Sequence, residues 1–247
     1  MRTSNPALTQ STFNGLQGTV PRDEAMTIGG AINRTAMLLL LVLLSAGFTW
    51  NLFLKAGDPA AVAPWMMGGL IAGLVTAMVT MFKKEWSAIT APLYAIFEGL
   101  FLGGLSSIME AQYPGIVIQA VGATFATLGV MLFLYKSGII QPTEKFIFGV
   151  VAATGAVFVV YLATWVLSFF GVSSNVLFGN GLLGIGFSIV VAGIAALNLI
   201  LDFAIIEQSA QRGMPRYMEW YGAFALMVTL IWLYLEILRL IGNLRSR

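Results

Sequence analysis

Seven long apolar runs most restrict what this chain of 247 residues can fold into. A helix needs about 20 mostly apolar residues to cross the hydrocarbon core of a bilayer, and each run is close to that length or longer. The runs are continuous rather than alternating in polarity, which argues against the strands of a membrane β-barrel. The sequence therefore predicts an all-α, polytopic integral membrane protein with seven transmembrane helices. The predicted spans are residues 34–55, 64–82, 87–109, 115–136, 145–170, 179–206 and 219–243.

Composition agrees with this class and excludes several kinds of chemistry. Hydrophobic residues make up 58% of the chain and charged residues only 10%. The chain has no Cys and no His, which excludes disulfides, thiolate catalysis and imidazole chemistry. An intramembrane serine or zinc protease would need His, and an aspartyl protease would need two Asp in its spans, whereas only Asp202 lies in an apolar run. We therefore expect no enzymatic activity and no cofactor.

The distribution of basic residues predicts the orientation of the chain. In a seven-span topology, nine Lys and Arg lie on the side of the N-terminus and four lie on the other side. Because positive charge is retained in the cytoplasm, we expect a cytoplasmic N-terminus. Three of the four lie in the last nine residues, which leaves six spans with a re-entrant final helix as an alternative. The net charge of only +2, scattered between apolar runs, gives no reason to expect a nucleic-acid partner.

The first 30 residues differ from the rest of the chain. They are polar, and they lack the basic segment followed by an apolar segment that is typical of a cleaved signal peptide. We expect residues 1–30 to form a flexible cytoplasmic tail and residues 31–247 to form the seven-helix transmembrane domain.

Glycines recur at four-residue spacing in the second and third spans. The segments "GLIAG" (Gly69, Gly73) and "GLFLG" (Gly99, Gly103) follow the pattern that lets membrane helices approach closely. We predict tight helix packing at these positions.

Three acidic residues lie within apolar runs: Glu98, Asp202 and Glu236. A charged side chain at the centre of a span costs about 2.5–3.5 kcal/mol on the insertion scale, so such a residue needs a partner, a proton or water. Glu98 follows Trp86 by twelve residues, which places it about 18 Å into the third span and near the bilayer midplane. A protonated Glu98 that is hydrogen-bonded to a neighbouring helix is a purely structural alternative.

The last two spans carry further polar residues beside their acids. Asn198 lies one turn before Asp202 on the same helix face. Thr229, Glu236 and Arg239 share one face of the last span with Trp232, and such a stripe is expected to face the interior of the bundle. Two structural alternatives are open here: Asp202 reaches interfacial water, or Glu236 and Arg239 form an i,i+3 pair that anchors the helix end.

A cluster of these acids would have a definite chemistry. Desolvation and mutual repulsion favour the protonated acid, so two carboxyl groups in one cavity can share a proton near neutral pH. Loss of that proton would add charge and oxygen ligands that suit a hard cation such as Ca²⁺. We predict a proton and cation site at Asp202, Glu236 and Glu98, with Asp202 and Glu236 as the metal ligands and with Asn198, Thr229 and Arg239 in support.

Three segments together resemble the Bax inhibitor family, the transmembrane Bax inhibitor motif proteins, and in particular its bacterial branch. They are "APLYAIFEGLFLGGLSS", "LNLILDFAIIEQ" and "MEWYGAFALMVTLIWLYLEILRLIG", and "SNPAL" and "INRT" near the N-terminus agree with them. The resemblance implies a seven-helix fold with a central seventh helix and a pH-sensitive Ca²⁺ leak activity. It further implies two aspartates, one in the sixth helix and one in the seventh, that share a proton, and a basic residue in the second helix that acts as a latch.

The resemblance can be carried onto this chain in two ways. Asp202 matches the first of the two acids, and Glu236 is the match to the second. A shifted alignment instead places Thr229 opposite Asp202 and leaves Glu236 to pair with Glu98. The second span has no Arg, so Lys83 and Lys84 at its end are the candidates for the latch.

These observations predict a pH-sensitive calcium leak channel, or a cation/proton exchanger, of the bacterial cytoplasmic membrane. Its partners would be membrane lipid, Ca²⁺ and protons. The alternative is a regulator without transport activity that binds a membrane protease or another membrane protein.

Overall fold

The computed structural model describes residues 24–170 and 179–246. Within this part of the chain the structure consists of helices joined by turns and short irregular segments, with one isolated bridge between Ala25 and Pro215. All seven helices are long and apolar enough to cross a membrane, which confirms the predicted fold class. A 3₁₀ turn at Lys84–Trp86 leads into the third helix. The helices are α1 (Ile28–Ala56), α2 (Pro59–Phe82), α3 (Ser87–Gln112), α4 (Ile116–Lys136), α5 (Glu144–Ser168), α6 (Leu182–Gln211) and α7 (Met218–Arg245).

The last helix is continuous over its 28 residues. At 1.5 Å per residue it is about 42 Å long, which is enough to cross the hydrocarbon core. The alternative with six spans and a re-entrant final helix therefore does not agree with the structure.

The first helix begins earlier than the apolar run predicts. The Thr27 hydroxyl accepts a hydrogen bond from the Gly30 amide at 2.9 Å, and this cap starts α1 at Ile28. Most of the predicted tail, residues 1–23, lies outside the described residues. Its predicted end at residue 30 falls inside the first turn of α1.

The turn between α1 and α2 follows from three consecutive residues. Gly57 ends α1 in the left-handed conformation with φ of 66°, which glycine adopts without steric cost. Asp58 then accepts a hydrogen bond from the Ala60 amide at 2.8 Å, and Pro59 occupies the first helical position. Two long helices can thus follow each other with only two residues between them.

The described chain divides into two compact units, and α6 and α7 contribute to both. The first unit comprises residues 24–114 and 205–228. In it α3 packs against both α1 and α2, which touch each other much less. A Cβ atom on Gly69 would lie 2.5 Å from the Phe97 carbonyl oxygen, and one on Gly99 would lie 2.5 Å from the Val42 carbonyl oxygen. The glycine spacing in α2 and α3 therefore marks close helix contacts, as the sequence predicts.

Gly103→Ala is expected to destabilise the protein by about 1–3 kcal/mol, the range found for overpacking. The new Cβ atom would overlap the carbonyl oxygen of Ala46 and the hydroxyl of Thr49 on α1, and the backbone oxygen cannot rotate away. Gly122→Ala on α4 is the matched control, because a Cβ atom there meets nothing within 4 Å. Thermal unfolding in detergent measures both variants, and equal unfolding temperatures would contradict the predicted close contact.

The second unit comprises residues 115–170, 179–204 and 229–246. It contains α4, α5, most of α6 and the second part of α7. Ile147 and Val150 of α5 pack against Leu201 of α6 in a buried apolar cluster. At the other end of α6, the Asn180 side chain donates a hydrogen bond to the Ser246 carbonyl oxygen at 3.0 Å. The start of α6 and the end of α7 are thereby joined.

Burial differs strongly among the seven helices. In the most apolar 18-residue window of α6 and of α7, 61% of the residues are buried, against 17% in α1, α2, α4 and α5. Those four helices expose large apolar side chains such as Leu44 and Phe148, as expected for surfaces that contact lipid. The interior positions are therefore concentrated on α6 and α7, where two of the three predicted acids lie.

Candidate functional site

Asp202 lies on α6 and is 0% exposed. The hydroxyl of Thr229 on α7 donates a hydrogen bond to its Oδ2 atom at 2.5 Å. This is the pairing that the shifted alignment predicts, so the residue opposite Asp202 is Thr229. A carboxylate and a hydroxyl thus connect the two most buried helices.

Asp202 lies within a buried segment of α6. Its neighbours on the chain, Leu201 and Phe203, are themselves buried, as are Ile205 and Ile206 one turn further on. The alternative in which Asp202 reaches interfacial water therefore does not agree with the structure. A buried carboxyl group needs a hydrogen-bond partner, a proton or water, and the Thr229 hydroxyl supplies one such partner.

Asn198 supports this region from the preceding turn of α6. Its amide donates hydrogen bonds to the Thr154 hydroxyl of α5 at 2.9 Å and to the Ile194 carbonyl oxygen at 2.8 Å. The side chain is 2% exposed. Asn198 therefore positions α5 beside the segment of α6 that carries Asp202.

Glu236 on α7 is also buried, at 2% exposed, but its surroundings are polar. The Tyr161 hydroxyl of α5 donates a hydrogen bond to Glu236 Oε1 at 2.6 Å, and Arg239 donates to that hydroxyl at 2.8 Å. Arg239 also forms an ion pair with Glu236 at 3.3 Å. A basic side chain and a hydroxyl therefore both contact the Glu236 carboxyl group.

Asp202 hydrogen-bonds to Thr229, whereas Glu236 hydrogen-bonds to Tyr161. Glu236 follows Thr229 by seven residues, which corresponds to about 10 Å along the axis of α7. In the described part of the chain, no three acidic residues come together in a group that could hold a metal ion. Glu236 forms an ion pair with Arg239, and the roles of Asp202 and Glu236 as proton or cation sites stay predictions.

Tyr161→Phe tests how strongly the Tyr161 hydroxyl and Glu236 are coupled. We expect a loss of stability of about 0.6–1.7 kcal/mol, the range measured for hydrogen bonds between membrane helices. Unfolding free energies of Tyr161→Phe, Glu236→Gln and the double variant form a cycle that isolates this contact. If the double variant loses as much unfolding free energy as the two single variants lose together, the two side chains are not coupled.

Glu98 lies on α3 in the first unit. A Cβ atom on Gly73 of α2 would lie 3.1 Å from its Oε1 atom, so the carboxyl group occupies the space beside that glycine. The side chain is partly buried, and within the described residues it makes no hydrogen bond or ion pair. The hydrogen-bonded structural role that the sequence left open for Glu98 is not seen there. Its role as a proton or cation site stays a prediction.

The two candidate latch residues lie at the end of α2. Lys83 ends that helix through its backbone amide, which donates to the Val79 carbonyl oxygen. The Lys84 ammonium lies 5.9 Å from the centroid of the Tyr221 ring on α7. Lys84 therefore has a contact with α7, and the latch function of either lysine stays a prediction.

Sequence reasoning missed Glu219, which lies in the first turn of α7 and is 2% exposed. It accepts hydrogen bonds from the Thr27 amide and the Thr27 hydroxyl, both at 3.0 Å. Its other oxygen lies 3.6 Å from the guanidinium of Arg34, which also lies over the Trp220 ring. A Cβ atom on Gly30 would overlap this carboxylate. Glu219 therefore fixes the start of α1 against the start of α7.

The loop between α6 and α7 is joined to the chain before α1. The Met26 amide donates to the Met214 carbonyl oxygen at 2.6 Å, and the Arg216 amide donates to the Glu24 carbonyl oxygen at 2.9 Å. Burial raises the pKa of Tyr217 in this loop, and the nearby Glu85 carboxylate raises it further. These contacts and Glu219 hold the two segments together.

Seven apolar helices, with carboxylates buried on the two most buried of them, define a polytopic membrane protein with ionisable groups inside its helical bundle. The family described as Bax inhibitor 1 like has a sequence profile that matches residues 5–246, nearly the whole chain. The chain therefore belongs to this family, which confirms the resemblance; its place in the bacterial branch stays a prediction. A search of curated proteins found no match to the chain.

Proposed function

We propose that the protein is a pH-sensitive cation leak channel or a cation/proton exchanger that carries Ca²⁺ and is controlled by protonation of Asp202. The observation that carries the proposal is the complete burial of Asp202 against the Thr229 hydroxyl between α6 and α7. Membership of the Bax inhibitor family supports it, because the resemblance implies calcium leak activity. The proposal includes a bacterial cytoplasmic membrane, a cytoplasmic N-terminus and no enzymatic activity.

In the proposed mechanism, protonated Asp202 is neutral and α6 and α7 remain packed. Loss of the proton leaves a charge at a completely buried position, and water or a cation that reaches this position stabilises the charge. Ca²⁺ suits this role because it binds carboxylate and hydroxyl oxygens. Flux therefore increases with pH as Asp202 loses its proton.

Glu236 supplies the second carboxylate of the proposed path. In the structure its charge is compensated by Arg239, whose side chain is 37% exposed. A displacement of Arg239 towards solvent would free Glu236 for a passing cation without moving the helix backbone. In this way Glu236 contributes a metal ligand although it does not share a proton with Asp202.

The experiment is calcium flux into proteoliposomes that contain a calcium-sensitive dye, measured over a series of pH values. The purified wild-type protein should give a flux that increases with pH, and vesicles without protein give the background. Asp202→Ala should lose this pH dependence. If wild type and Asp202→Ala are equally silent, or equally leaky, at every pH, the proposal is wrong.

A further inference from the structure

Polar side chains that are buried or partly buried recur at heptad spacing along the contact between α6 and α7. On α7, Thr229, Glu236 and Asn243 are seven residues apart, and on α6, Ser188 and Asp202 are fourteen apart. Residues at this spacing lie on nearly the same face of a helix. We call Ser188, Asp202, Thr229, Glu236, Asn243 and Tyr161 of α5 the polar column; all six lie in the second unit.

Three contacts fix the alignment of the column. The Asp202–Thr229 and Asn180–Ser246 hydrogen bonds show that α6 and α7 run antiparallel there. Ser188 precedes Asp202 by fourteen residues on α6, and Asn243 follows Thr229 by fourteen residues on α7. Because the two helices are antiparallel, Ser188 lies within about one turn of Asn243.

The third contact comes from α5. The Tyr161 ring lies 6.0 Å from the ring of Phe187, the neighbour of Ser188, and the Tyr161 hydroxyl binds Glu236. The turn of α6 that carries Ser188 therefore contacts the Tyr161 side chain that binds Glu236.

Two atoms of the column are buried without a protein partner. Ser188 is 1% exposed, and neither its Oγ atom nor the buried Nδ2 atom of Asn243 has a hydrogen-bond partner in the described chain. Leaving a buried polar group unsatisfied costs about 1–3 kcal/mol. In folded proteins such groups are normally satisfied by buried water when the protein offers no partner. Both unsatisfied atoms lie near the same end of the column.

We propose that the polar column is a hydrated path that leads from the membrane face where α7 ends to Asp202. Water enters beside Ser188 and Asn243, passes the Tyr161–Glu236–Arg239 cluster, and ends at the Asp202–Thr229 pair. From Asn243 to Thr229 the path covers 14 residues of α7, or about 21 Å. Its role in carrying protons and cations rests on the proposed function, whereas its hydration does not.

Cysteine labelling tests the hydration directly, since the chain has no Cys and each variant introduces a single thiol. Ser188→Cys lies at the proposed entrance. Ala195→Cys lies halfway between Ser188 and Asp202 on the same face, at a position that is 0% exposed. The probe is a membrane-impermeant methanethiosulfonate, added to proteoliposomes from either side.

The controls are two positions of α6 that face away from the column. Ile189 is 55% exposed, and Gly193 is exposed with nothing within 4 Å of an added Cβ atom. A thiol in lipid stays protonated and unreactive, whereas a thiol in water ionises and reacts. We therefore expect labelling at 188 and 195 to be at least about tenfold faster than at 189 and 193, and only from one face. Equal rates at the column and control positions would overturn the proposal.

Flux measurements separate this inference from the proposed function. Ser188→Ala and Asn243→Leu should reduce calcium flux because they remove the polar groups at the entrance, and Ile189→Ala should not. Fast labelling at 188 and 195 in a protein without flux would support the hydrated path and contradict the transport function. Flux that depends on pH, combined with slow labelling at both positions, would contradict the path alone.

Discussion

Asp202→Asn is expected to give a calcium flux that is low and no longer changes with pH. Asn has nearly the shape of protonated Asp, and its side chain can still hydrogen-bond to the Thr229 hydroxyl that contacts Asp202 at 2.5 Å. The amide cannot lose a proton near neutral pH, so the charge that opens the proposed path never forms. Proteoliposome flux between about pH 6 and 8, where wild type should vary by tenfold or more, measures the effect.

Asp58→Asn is the matched control for this change. Asp58 caps α2 by accepting a hydrogen bond from the Ala60 amide, and Asn is an equally good cap. The substitution is chemically the same, but it affects an exposed loop. Asp58→Asn should keep the wild-type pH profile. Should Asp202→Asn keep it too, protonation of Asp202 does not control the flux.

Glu98→Gln tests whether a second acid takes part in the pH response. Glu98 lies beside Gly73 in the first unit, where the described residues give it no hydrogen bond. If Asp202 alone controls the path, Glu98→Gln should shift the pH profile little. If Glu98→Gln loses the pH dependence of the flux and Asp202→Asn keeps it, the proton site is Glu98.

The architecture could be predicted from the sequence because it depends on local features. Continuous apolar runs predict spans by length alone, and the glycines at 69, 99 and 103 need no partner to suggest close packing. The stripe from Thr229 to Arg239 could be recognised as interior from its spacing. Even the contact of Asp202 with Thr229 was one of two alignments that the sequence allowed.

The partners of the buried acids could not be predicted in this way. Tyr161 lies 75 residues from Glu236 along the chain, and no local pattern connects the two. Ser188 and Asn243 are uncharged polar residues near helix ends, where such residues are common and usually solvated. Only the alignment of α6 with α7 shows that they continue the spacing of Asp202 and Thr229.

Glu219 was missed for a different reason. Acids are frequent in the first turn of a helix, where they interact favourably with its dipole, so the sequence suggests only a helix start. In the structure Glu219 contacts residues of α1 that precede it by more than 180 positions. Its burial depends on Gly30, where any larger side chain would occupy the same space.

Glu219→Ala is expected to lower the free energy of unfolding by about 3 kcal/mol, near the lower end of the range for breaking a buried ion pair. The truncation leaves the Thr27 amide and hydroxyl without their acceptor and leaves Arg34, whose side chain is only 24% exposed, without its counter-ion. Glu219→Gln should cost less, because the amide oxygen can still accept from Thr27. Thermal unfolding in detergent compares the two variants with wild type.

Glu144→Gln provides the control for helix-end effects, because Glu144 lies in the first turn of α5 just as Glu219 lies in the first turn of α7. Glu144 is exposed, so its loss should cost only the interaction with the helix dipole, about 0.3–1 kcal/mol. If Glu219→Ala and Glu144→Gln lower stability equally, the contacts with Thr27 and Arg34 contribute nothing to the fold. We expect Glu219→Ala to lower the free energy of unfolding more than Glu144→Gln does, and we expect Arg34→Met to lower it by a similar amount. If the double variant of Glu219→Ala and Arg34→Met is no less stable than the single variants, the ion pair joins α1 to α7.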